Sequence, residues 1–83
     1  MENIDSLKLD DQVTVSIWGP EGNCLYKSTN TGFHSLEVAI NQAISNANLD
    51  TDPENCVFEV TNNTTGVSHK YRLNAHGRLK LIV

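Results

Sequence analysis

Ser35-Leu36-Glu37-Val38-Ala39-Ile40-Asn41-Gln42-Ala43-Ile44-Ser45-Asn46-Ala47-Asn48 is the stretch on which the fold turns. Leu36, Ile40, Ala43 and Ala47 recur at spacings of four, three and four, and Ala39 and Ile44 widen the stripe. Glu37, Asn41, Gln42, Ser45, Asn46 and Asn48 fill most of the remainder. That is the period of an amphipathic helix with one apolar and one neutral polar face. Ser35 is the expected N-cap, because its side-chain oxygen can accept from a free first-turn amide, and Glu37 suits the positive end of the helix dipole. The helix should end near Asn48 or Leu49, since Asp50-Thr51-Asp52-Pro53 follows and proline disfavours helix in the residue before it.

On both sides of this helix the period drops to two. Upstream, Val13, Val15 and Ile17 alternate with Thr14 and Ser16, a half-buried strand. Gly19-Pro20-Glu21-Gly22-Asn23 then stops the chain, and Cys24 to Ser28 reads as a return strand of a hairpin. Downstream, Cys56, Phe58 and Val60 alternate with Val57, Glu59 and Thr61. Thr61 to Gly66 is a turn by composition, which also accounts for the two overlapping Asn-x-Ser/Thr patterns at Asn62 and Asn63. Val67, His69, Tyr71 and Leu73 alternate with Ser68, Lys70 and Arg72, Asn74 to Gly77 turns the chain, and Arg78 to Val83 is the last strand.

The order β-β-α-β-β-β gives an α+β fold, an antiparallel sheet of hairpins packed on one amphipathic helix. Eighty-three residues make one domain, since a second core would leave neither half enough surface to bury. Residues 13–83 form it. Residues 1–12 show no clean period, carry Glu2, Asp5, Asp10 and Asp11, and read as a flexible N-terminal arm with Leu7 and Leu9 at the edge of the core. A hydrophobic content of 39% with 19% charged residues belongs to a folded globule. No apolar run approaches the roughly 18 residues of a membrane span. The polar start, Met1 to Ser6, lacks the pattern of a secretory signal, so a cytoplasmic protein without membrane contact is expected.

Charge is unevenly placed. Up to Glu59 ten carboxylates face only Lys8 and Lys27, a balance of −8, whereas residues 66–83 hold Lys70, Arg72, Arg78 and Lys80 without an acid, a balance of +4. The net charge of −4 therefore hides a strongly dipolar chain. Strand parity puts Lys70 with Arg72 and Arg78 with Lys80. Across a tight turn, all four would share the solvent face of one hairpin. Such a face suits phosphate contact and hence nucleic acid. It equally suits a solvated strand face whose lysines discourage edge-to-edge aggregation, and an aromatic content of 6% offers little for base stacking.

The last strand ends on Leu81-Ile82-Val83, aliphatics that call for cover. It is expected to lie centrally in the sheet or to be an edge completed by a second subunit, with Ile82 the residue whose burial needs explaining. Trp18, just before a turn, caps the end of the core or anchors a partner.

Catalysis needs a nucleophile with its base, or a paired acid and base. His34, His69 and His76 are scattered, and none stands at metal-ligand spacing to a cysteine or another histidine. Asp50, Asp52 and Glu54 lack the glycine and terminal glutamate of a calcium loop. Cys24 and Cys56 read as reduced, buried small hydrophobes, which leaves a redox or metal-carrying role as the least supported option. No enzyme, cofactor or metal is expected. The expectation is a non-enzymatic protein-interaction module acting as a homodimer, with Leu81, Ile82, Val83 and Trp18 as the partner surface. The alternative is nucleic-acid binding through Lys70, Arg72, Arg78 and Lys80.

Overall fold

The computed structural model describes residues 10–33, 35–74 and 76–82. Strands β1 (Val13–Trp18) and β2 (Cys24–Asn30) precede helix α1 (Leu36–Ala47). A short 3-10 turn (Pro53–Asn55) then leads into β3 (Val57–Asn62), β4 (Val67–Leu73) and β5 (Leu79–Ile82). The strands form one antiparallel sheet of five in the order β2-β1-β3-β4-β5, so the α+β architecture of hairpins on a single helix is as read from the sequence. The helix carries the chain over the sheet from β2 at one edge to β3 beside β1, and β5 ends at the opposite edge.

The apolar parity of each strand lies under the helix. One row crosses the whole sheet, Tyr26, Ile17, Phe58, Tyr71 and Leu81, each opposite the next in register. Ile17, Phe58 and Tyr71 are buried beneath Leu36, Ala39, Ile40 and Ala43 of α1, with Val13, Val15, Phe33, Cys56 and Val60 completing the core. The helix packs mainly on β1 and β2, and the 3-10 turn reaches β4. Leu73, Leu79 and Leu81 are consequently only half-buried.

The helix ends are as the sequence predicts. The Val38 amide donates to Ser35 Oγ at 3.3 Å, and Asn48 closes the helix in the left-handed conformation with φ 53°, which asparagine tolerates better than most residues. The 3-10 turn, whose sequence read only as a stop, is capped by Asp52, whose Oδ1 accepts from the Glu54 amide at 3.1 Å. Asp11 and Gln12, read as the end of a loose arm, are tied to the β3–β4 turn. Asp11 Oδ2 accepts from Asn62 Nδ2 at 2.9 Å, and the Asn63 amide donates to the Gln12 carbonyl at 2.7 Å. The rest of the expected arm, residues 1–9 with Leu7 and Leu9, lies outside the described residues, as do His34 and Val83.

The two cysteines part company. Cys56 is fully buried, and burial, with a smaller contribution from Asp52, pushes its thiol above the ordinary range. Cys24, expected to be buried, is exposed. The reason is a bulge in the hairpin between Ile17 and Trp18, which sets Cys24 opposite Trp18 and breaks the parity of β2.

Two outcomes follow. Ile40→Ala should lower stability by about 2–5 kcal/mol, a large share of what a domain of this size has, whereas Asn41→Ala on the polar side should stay within about 0.5 kcal/mol. Urea unfolding followed by circular dichroism measures both. A thiol-reactive disulfide should label Cys24 quickly in the native protein and reach Cys56 only on unfolding, with the protonated state of the buried thiol adding to its protection.

Candidate binding face

Among the described residues the helix lies on one side of the sheet, and the side it leaves without helical cover is ordered in three cross-strand rows. Thr29, Thr14, Thr61 and Ser68 make a row of hydroxyls, with Thr14 Oγ1 2.8 Å from Thr29 Oγ1 and Thr61 Oγ1 2.9 Å from Ser68 Oγ. Lys27, Ser16, Glu59, Lys70 and Ile82 make the second row. Cys24, Trp18, Val57, Arg72 and Lys80 make the third, Val57 standing beside Arg72 where the β3–β4 register runs on by one residue. Polarity thus changes along the strands, from neutral hydroxyls at one end to an indole and cations at the other.

Glu59 ties this face together. Its Oε1 accepts from Trp18 Nε1 at 3.1 Å, and its Oε2 accepts from the Ser68 hydroxyl at 3.5 Å. Both are diagonal contacts between neighbouring strands, the reach expected of long side chains on a pleated surface. Glu59 also stands opposite Lys70 in the register. Arg72, by contrast, stands opposite Lys80. Like charges directly opposite each other weaken a sheet, and no carboxylate faces either of them in the register.

Between the second and third rows lies a hollow of about 540 Å³, lined by Trp18, Val57, Glu59, Lys70, Arg72 and Ile82 and walled by the β1–β2 turn. That volume falls within the ordinary range for ligand sites. Its apolar lining includes Trp18, Val57 and Ile82, with Ile82 38% exposed and Trp18 half-buried. Its rim carries two cations, Lys70 and Arg72, and one carboxylate. No histidine or cysteine lines it. A second hollow of about 360 Å³ lies between the β1–β2 turn and the end of α1, lined by residues such as Glu21, Leu25, Leu49 and Asp50. Among the described residues no three His, Cys, Asp or Glu side chains converge as ligands to a metal.

Of the residues singled out in the sequence, Lys70, Arg72, Lys80, Ile82 and Trp18 share the uncovered face. Arg78 does not join them in a strand: β5 begins at Leu79, and Arg78 belongs to the turn, its amide donating to Asn74 Oδ1 at 3.0 Å. Gly77 in that turn takes φ 76°, a conformation open to glycine. Leu81 points to the helix side, opposite Tyr71. The last strand is the edge of the sheet rather than a central member. Trp18 departs from a core cap, since it lies on the face opposite Val13, Val15 and Ile17. Glu59 and Val57 were not singled out, although their parity with Thr61, opposite to that of Phe58 and Val60, already assigned them to this face. No helix among the described residues is long and apolar enough to cross a membrane. Comparison with protein-family models, curated proteins and solved structures finds no match, and the face is read from its own geometry.

Proposed function

We propose that this chain is a small non-enzymatic protein-interaction module that acts as a homodimer through β5. The observation that carries the reading is the free edge of the sheet, where Leu79 and Leu81 are half-buried and Ile82 is 38% exposed. An edge strand with half-buried and exposed aliphatics is a template for another strand, and two-fold pairing with its own copy is the simplest closed way to use it. Side-chain parity restricts the register. With Leu81 on the two-fold axis, Leu81 meets its own counterpart on the helix side and Lys80 lies opposite the copy's Ile82. With Lys80 on the axis, two ammonium groups would face each other, a destabilising pair. The first register is favoured.

A second reading, nucleic-acid binding by the basic hairpin, draws on the presence of Trp18 beside Lys70, Arg72 and Lys80. It ranks below the first because Glu59 sits among those cations and would repel phosphate. Trp18 is also the one aromatic on this face among the described residues, Tyr26, Phe58 and Tyr71 lying on the helix side.

Sedimentation equilibrium from micromolar to millimolar protein should show a reversible dimer. Ile82→Lys, placed opposite Lys80 of the copy, should shift it toward monomer with an unchanged circular dichroism spectrum; a monomer throughout for the unaltered chain sinks the dimer. Fluorescence anisotropy with a labelled single-stranded oligonucleotide at about 50 mM salt should detect no binding. Binding that fades with salt and is lost in Arg72→Glu would put the second reading first.

A further inference from the structure

We infer that the hollow on the uncovered face is a docking site for an acidic segment of a partner protein, which inserts one apolar side chain between Trp18 and Ile82. The inference rests on the reading of the chain as an interaction module, and it does not need the β5 dimer. Three features of the face specify the occupant. The hollow of about 540 Å³, with Trp18, Val57 and Ile82 in its lining, has room for a large aliphatic or aromatic side chain. Burial of such a group against a tryptophan is the common form of an interface anchor.

The surrounding charge has one sign to spare. Lys70 is offset by Glu59 across the β3–β4 register, whereas Arg72 and Lys80 oppose each other with no acid facing them. Their repulsion is relieved when an anion lies between them, so the ligand is anionic beside its apolar anchor. Arg72 can bind a carboxylate by donating two N–H bonds, and Lys80, opposite it in the β4–β5 register, adds a flexible point charge beyond the lining.

Glu59 decides between classes of anion. It lies in the lining of the hollow, with Oε1 held by the Trp18 indole and Oε2 within reach of Ser68. A continuous phosphate backbone crossing the face would pass over this carboxylate. A peptide can set its acids toward Arg72 and Lys80 and its apolar side chain beside Glu59.

The chain contains one tryptophan, so its fluorescence reports on this hollow alone. The probe is an acetylated, amidated seven-residue peptide with a central phenylalanine between two runs of aspartate. Titration is expected to change Trp18 emission saturably, with about tenfold weaker binding for Arg72→Glu and for a peptide with central alanine, and none for the peptide with lysines in place of the aspartates. Equal response to acidic and basic peptides, no response to either, or tighter binding of an oligothymidine on the same face would overturn the proposal. Sedimentation of the same samples separates the two readings. A dimer that ignores the peptide removes this site alone, and a monomer that binds it removes the dimer alone.

Discussion

The row Tyr26, Ile17, Phe58, Tyr71 and Leu81 is the contact on which the rest depends. It takes one side chain from every strand and sets the central three against the apolar stripe of α1. A chain of this size buries only about 60–65% of its unfolded surface, so there is no reserve elsewhere to replace that row. Because the side-chain period of a strand is two, fixing this row fixes both faces. A slip of one residue in β3 would send Phe58 to solvent and Glu59 into the core. The uncovered face is therefore held in place from the other side of the sheet.

Much of this was legible in the sequence. The helix from Leu36, its Ser35 cap, its end near Asn48 and the alternation of β1, β3 and β4 follow from local chemistry, and the structure agrees with them. The order of strands was not legible, because the pairing of β1 with β3 is made by the helix crossing the sheet, a long-range contact with no local signal. The same limit left open whether the last strand was central or an edge. Arg78 was misplaced because the sequence does not say how many residues the β4–β5 turn consumes, and Asn74 captures Arg78 into it. Cys24 was misplaced by a bulge, which inserts one residue and reverses parity without altering composition.

Trp18 is a different kind of miss. Its parity with Thr14 and Ser16 already placed it away from the core. As a tryptophan just before a turn, it read as a cap on the end of the core or an anchor for a partner. The position was right, and the indole found a polar partner in Glu59 instead of a place under the helix.

The bond from Trp18 to Glu59, continued toward Ser68, joins β1, β3 and β4 across the surface. Its consequence is one of timing. An exposed indole free to rotate would surrender that freedom at the moment of contact, and the complex would be weaker for it. Here the ring is oriented while the sheet forms, so its loss of rotamers belongs to folding. A group docking as proposed would meet an indole already oriented, without waiting for its rearrangement.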